Sequence, residues 1–200
     1  MKEQSSLTKP TNGVGAIVFD LETNGLLNNA SRIHCLALHW EEDDRLEVFN
    51  DEPYGPPDAI KEEAPMGGNY AIHTGLQWLE TADFLIGHNI IGYDIPVIKR
   101  IYPWFNPRGT IVDTLLLSRL YHPNLLDIDK RHAWKHMPLQ LYGRHSLEAY
   151  GYRLGEYKGD FGKTTDWKEW SQEMQDYCVQ DVIVTTKLCK HFHKYLIGSY

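Results

Sequence analysis

"VFDLETNGLL", residues 18–27, sets two carboxylates one residue apart at the end of an apolar run, just before a turn through Gly25. The run is short, β-branched and aromatic, and bounded by glycine, which predicts a buried strand over 14–22 (VGAIVFDLE). Residues i and i+2 of a strand share a face. Asp20 and Glu22 therefore stand side by side with converging oxygens, a pair that repels itself unless a cation lies between. A bare D-x-E is common at polar strand ends, so its weight depends on what else reaches the same edge.

Outward from this strand, 32–40 (RIHCLALHW) and 45–50 (RLEVFN) flank the polar turn EEDD and complete an antiparallel meander. A loop rich in Pro and Gly follows (53–69), then a helix over 69–81 and a buried strand, DFLIGHN, over 83–89. A helix starts at Ile95 with Pro96 in its first turn. TIVDTLLLSRL (110–120) predicts a strand that ends near Asp113 and runs straight into a helix. Two more helices are expected over 145–155 and 171–196, capped by Ser146 and Ser171. Strands first, then alternating helices and strands, predict an α/β fold: a mixed sheet with antiparallel first three strands, flanked by helices. No repeat or linker divides the chain, so residues 1–13 are expected as a flexible tail and 14–200 as a single domain.

The chain has 200 residues, 42% hydrophobic and 24% charged, a globular balance. No apolar run approaches membrane-spanning length, and the N-terminal residues lack the apolar stretch of a secretory signal. Cys35, Cys178 and Cys189 form no C-x-x-C pair, which suits reduced thiols in a cytoplasmic setting. A net charge of −7 argues against duplex binding, yet two divalent cations among the carboxylates would bring it to −3. Residues 119–144 carry five Lys or Arg against two Asp, with three histidines besides.

Two further segments bear carboxylates that fit the first pair. In GHNIIGYD (87–94) a strand ends near His88 and Asn89, and Asp94 opens the next helix. That strand-to-helix junction is where open α/β sheets hold ligands; taken alone, Asp94 serves equally well as a helix cap. In YCVQD (177–181) Tyr177 and Asp181 stand at i and i+4 on one helical face, which continues through Val184, Thr185 and Leu188. An aspartate on an inward stripe needs a partner. No Lys or Arg lies one turn away on its own helix, and a cation shared with other carboxylates would serve.

D-x-E at the end of a first strand, N-x-x-x-Y-D after a central strand and Y-x-x-x-D in a late helix, in that order, resemble the three motifs of the DEDD 3′–5′ exonucleases. The tyrosine of the third motif resembles the DEDDy branch; a histidine five residues before the aspartate would mark the DEDDh branch, and Asp176 stands there. IVDTLLLSRLYHPNL, HSLEAYGYRLGEYKGDF and DYCVQDVIVTTKL further resemble the proofreading domain of bacteriophage family A DNA polymerases, over Ile17 to about Lys190. The resemblance implies a ribonuclease H-like exonuclease fold and a DNA 3′ end as substrate, single-stranded or frayed, cut to nucleoside 5′-monophosphates. It also implies a separate or fused family A polymerase as partner, and no membrane.

An all-oxygen ligand set, Asp20, Glu22, Asp94 and Asp181, favours hard cations such as Mg²⁺ or Mn²⁺. Two such ions clamp a phosphodiester for in-line hydrolysis. By resemblance, Asp20, Glu22 and Asp181 hold the ion that activates water. Asp20 also touches a second ion, with Asp94 acting through water, and Tyr177 orients the attacking water. Thr23, Leu26 and Asn89 are the expected substrate contacts. Leu27 is expected to pack, His88 to be structural, and Asp113 to cap its helix. His132 and His136 have the i, i+4 spacing of a zinc pair, with His122 and His145 near in sequence; the same stretch reads also as a basic flap. An RNA-trimming enzyme of the same superfamily, and a silent accessory module of a polymerase, are the alternatives.

Overall fold

The computed structural model describes residues 15–50, 71–156 and 167–196. The expected tail, the whole Pro/Gly loop and the segment 157–166 lie outside the described residues. Among the described residues, five strands form one sheet: β1 (Ala16–Thr23), β2 (Ile33–Trp40), β3 (Arg45–Phe49), β4 (Phe84–Gly87) and β5 (Thr110–Asp113), in the order β3-β2-β1-β4-β5. β1 pairs antiparallel with β2, and β2 with β3, whereas β4 runs parallel to both β1 and β5. The expected meander and mixed sheet are both present.

Among the described residues there are six α-helices: α1 (Ile72–Thr81), α2 (Asp94–Ile101), α3 (Thr114–Tyr121), α4 (Leu125–His132), α5 (Leu147–Leu154) and α6 (Gln172–Leu196). Side chains of β1 alternate between two cores because strand Cβ atoms alternate between faces. Ile17, Phe19 and Leu21 pack with Ile72, Leu76 and Leu79 of α1 and with Ile95, Val97 and Ile98 of α2. Val18 points to the other face, against Met174, Cys178 and Val182 of α6. Asp20 and Glu22 continue that second set, so the strand's own alternation aims them at α6.

Ser146 caps α5 through the Ala149 amide, and Ser171 accepts from the Met174 amide at the start of α6. Beyond the sheet, α6 continues past α4 and α5, burying Val184, Leu188 and Phe192 with Leu125 and Tyr150. Helix α4 has no counterpart among the expected elements. Its apolar stripe is only Leu125 and Ile128, and the side chain of its N-cap residue, Asn124, makes no capping bond. Among the described residues, no helix is long and apolar enough to cross a membrane. Cys35, Cys178 and Cys189 are free and buried.

Candidate active site

β1 lies at the centre of the sheet, and its C-terminal end carries the first carboxylate pair. The β1–β2 register shifts between Glu22, opposite Cys35, and Thr23, opposite Ile33, so His34 is the extra residue of a bulge. A bulge sharpens the local twist and ends regular pairing, which frees the strand end just where the carboxylates sit. Carboxylate oxygens of Asp20, Glu22 and Asp181 lie within 4.8 Å of one another. Each of the three keeps a partly exposed edge, whereas Asp94 is buried. The Cys178 thiol, one turn before Asp181 on α6, donates to the Asp20 carbonyl at 3.3 Å and fastens the helix to the strand.

Asp94 is the first residue of α2 rather than its cap, which is Tyr93. Its carboxylate accepts from its own amide and from that of Leu21, so it faces the β1 carboxylates from beside the three-member group. The turn before it needs an unusual backbone: Asn89 has φ of 67°, a left-handed conformation that Asn tolerates better than most residues. Asp113 holds this turn from below. Its Oδ1 accepts from the amides of Asn89 at 3.0 Å and Leu115 at 2.9 Å, and its Oδ2 from Ile91 at 3.1 Å. The expected helix cap is therefore also a clamp on the loop that delivers Asp94.

The opposite wall is fixed by Tyr93. Its hydroxyl donates to the Gly25 carbonyl at 2.6 Å and lies 2.5 Å from Thr23 Oγ1. Sequence reasoning did not single out Tyr93; the signal available was its place beside Asp94 in the Y-D pair. Thr23 is thus committed to this turn, while Leu26 beyond it is 78% exposed and Leu27 packs on the core. Asn89 is exposed at the mouth. His88 bonds Thr114 Oγ1 at 2.9 Å, and burial pushes its pKa down to about 4, so it is a neutral structural residue.

Burial and crowding give the site its electrostatics. Burial, then the charges of Glu22, Asp181 and Asp94, hold the Asp20 carboxyl far above its usual range. Glu22 is raised in the same sense, first by burial. Burial lifts Asp94 to about 7 against the opposing pull of its two amides, and lifts Asp181 to about 7 against a hydrogen bond from Tyr177. The Tyr177 hydroxyl is itself pushed up by burial and by Asp181, so it stays protonated and donates to that carboxylate. Its ring stands edge-on to Trp167, with centroids 6.2 Å apart. Four carboxyls that resist ionising together, with only oxygen donors, are what hard divalent cations neutralise, so the site fits such ions.

The histidine pair with zinc-like spacing does not form a site. α4 ends at His132 and Ala133 turns left-handed, so His136 lies outside the helix that the i, i+4 spacing requires. Among the described residues, the acidic group at β1 and α6 is the one cluster of three or more ligands within metal-binding reach.

No known family profile matches the chain. It is 32% identical over 196 residues to the DNA-directed DNA polymerase of Enterobacteria phage T3, a match covering 86% of this chain and 26% of the polymerase. The DNA-directed DNA polymerase of Escherichia phage T7 matches with the same identity and coverage. The chain thus spans about a quarter of the length of these relatives. Among solved structures, Brucella melitensis NrnC superposes with a TM-score of 0.58 at 20% identity, over 93% of this chain and 76% of that one. The apo form of a nuclease superposes with a TM-score of 0.57 at 20% identity, over 92% and 73%. The chain resembles the DEDD-type exonuclease domain of phage DNA polymerases and has the ribonuclease H-like α/β fold.

Proposed function

We propose that this chain is a metal-dependent 3′–5′ exonuclease of the DEDDy type. It removes nucleoside 5′-monophosphates from single-stranded or frayed DNA ends and serves proofreading beside a family A polymerase. The observation that carries this is the meeting of Asp20 and Glu22 from β1 with Asp181 from α6, within 4.8 Å, with Tyr177 hydrogen-bonded to Asp181. Asp20, Glu22 and Asp181 would hold one divalent ion, and Asp20, with Asp94 behind it, a second. Such ions, Mg²⁺ or Mn²⁺, supply Lewis-acid charge that lowers the pKa of water and stabilises the leaving oxygen. A relative in fold, Brucella melitensis NrnC, is known with bound Mg²⁺, which supports a divalent cofactor here.

The residues of the chain do the rest. Tyr177 stays protonated and so offers no phenolate base, but with its O–H hydrogen-bonded to Asp181 its oxygen remains an acceptor that orients the attacking water. Water oxygen bonds to phosphorus as the bond to the penultimate 3′ oxygen breaks, and that oxygen leaves with a proton. Asp94, tied to the Leu21 amide, keeps the first helical turn of α2 registered on β1. Leu26, exposed on the turn that Tyr93 fastens, would lie against the terminal base, with the Thr23 backbone and Asn89 beside the 3′ end.

The test is digestion of matched 5′-labelled DNA and RNA strands with Mg²⁺ or Mn²⁺, beside EDTA and Asp20→Ala controls. A metal-dependent ladder from the 3′ end, lost in Asp20→Ala, is expected, with DNA preferred. Preference for RNA would replace the DNA assignment with RNA trimming, the substrate class suggested by neither phage relative. A folded protein that cuts neither strand would overturn the enzyme assignment in favour of an accessory module.

A further inference from the structure

Leu116, Arg119 and Leu120 stand at i, i+3 and i+4, so they share one face of α3, and all three are exposed. On the other side of the helix Leu117 and Tyr121 pack with Val184, Leu188 and Phe192 of α6, and Thr114 and Ser118 are buried. The helix is thus anchored, yet it leaves Leu116 49% and Leu120 67% exposed. Single exposed leucines need no explanation. These two continue an exposed stretch that begins at the mouth of the active site.

Asp113 makes that join. Its carboxylate takes the Ile91 amide on Oδ2 and the Leu116 amide on Oδ1, so the two backbones meet on one side chain. Ile91 is 48% exposed and belongs to the loop that delivers Asp94. Ile91, Leu116 and Leu120 therefore form an apolar path from that loop onto α3. Leu120 lies roughly 6 Å beyond Leu116 along the helix axis, about the span of two stacked nucleotides at roughly 3.4 Å each.

Positive charge follows the same path. The Arg119 guanidinium is close enough to His88, next to Asn89, and to His145 for its charge to depress both imidazole pKa values. Among the described residues no carboxylate forms an ion pair with Arg119. Farther on, Lys130, Arg131, Lys135 and Arg144 are exposed against one exposed acid, Asp127; Asp129 is buried and held by Arg153 Nη2 at 2.7 Å. On a chain of net charge −7, a cationic surface here adjoins a site whose own carboxylates repel anions. A single strand offers phosphates that attract such cations and base faces that lose water against apolar side chains.

We infer that the nucleotides upstream of the scissile bond lie along α3, with bases against Ile91, Leu116 and Leu120 and a phosphate on Arg119. The inference rests on the exonuclease reading for the position of the 3′ end. It makes α3 a positioning surface that acts on binding rather than on the chemical step. The test uses the full chain carrying Asp20→Ala with Mg²⁺, which leaves the strand uncut, and follows fluorescein-labelled octathymidylate by anisotropy over a series of salt concentrations. Arg119→Gln and Leu116→Ser/Leu120→Ser are compared on that background and, for kcat, in the otherwise unaltered chain. All three side chains are exposed, and melting curves of the variants should match their parents.

Arg119→Gln should weaken octathymidylate binding about threefold or more at low salt. It should also flatten the slope of log K against log salt by about 0.7, the share of one phosphate on a single strand. The double leucine variant should weaken binding about threefold or more with the slope kept, because it removes apolar area and no charge. In both, kcat should stay within about twofold of the parent. Octathymidylate bound equally by parent and variants would overturn the inference and leave this face to a protein partner. A loss of kcat without a loss of binding would overturn it too. The exonuclease reading is judged separately, by cutting: a chain that cuts no strand, yet binds octathymidylate through Arg119 and the leucines, would lose that reading and keep the surface.

Discussion

Asp113→Ala tests whether the clamp beneath the active-site loop matters. The Asp113 side chain is buried and receives four amides, those of Asn89, Ile91, Leu115 and a longer one from Leu116 at 3.4 Å. Losing an N-cap costs about 1 kcal/mol. Each loop amide stranded from a charged acceptor adds about 1 kcal/mol, the low end because Asn89 and Ile91 border solvent. The sum is about 3 kcal/mol. For a domain of this size that lowers Tm by about 6–12 °C. Hydrogen exchange at Asn89 and Ile91 should quicken first, since only these amides belong to the loop. Asp113→Asn keeps one acceptor oxygen and should fall about midway. Nuclease activity should drop several-fold even well below Tm, because Asp94 rides on the loosened turn. A variant melting within about 2 °C of the parent, with unchanged exchange at Asn89 and Ile91, would refute the clamp.

Three further outcomes are expected. In EDTA the folded protein binds protons more tightly than the unfolded chain, because Asp94 and Asp181 titrate near about 7 rather than at the ordinary 3.8. Stability should then be fully present below about pH 4 and fall, by a few kcal/mol at most, as pH rises through about 7. Mg²⁺ at pH 8 should restore it; a Tm in EDTA that is flat or rises over that window would contradict the crowded-carboxylate account. Tyr177→Phe keeps the ring against Trp167 but removes the hydroxyl donated to Asp181, so it should cost about 1 kcal/mol of stability while slowing hydrolysis about 10- to 100-fold; full activity would remove Tyr177 from the chemistry. Tyr93→Phe breaks the bonds to Thr23 and Gly25, so it should cost about 1–2 kcal/mol and raise KM for a DNA strand more than it lowers kcat. An effect confined to kcat would mean that the turn does not meet substrate.

Local pattern explains why so much of the site was readable from sequence. Alternation in β1 places Asp20 and Glu22 on the face of Val18, and that face meets Cys178 and Val182 of α6. The i, i+4 spacing then puts Tyr177 against Asp181 without any long-range information. What escaped depended on contacts between distant residues or on weak local signals. The His132–His136 spacing implied one helix, but Ala133 takes φ of 53° and ends it. His122 instead meets His191, 69 residues away, and Asp129 meets Arg153 across 24. No period in the sequence encodes such pairings.

Buried carboxylates in this fold separate by what each is given. Asp113 receives amides, and no opposing carboxylate is needed to account for its place. Asp129 receives Arg153, Trp134 and an amide, and its pKa falls despite burial. Asp181 receives only the Tyr177 hydroxyl, and Asp94 two amides that do not offset burial, so both rise to about 7. Asp20 and Glu22 are raised as well, first by burial and then by neighbouring acids. A fold that satisfies Asp113 and Asp129 so fully has the means to neutralise a carboxylate. Four acids left to repel one another at a single strand end, two of them on alternate residues of one strand, therefore point to a charge supplied from outside the chain.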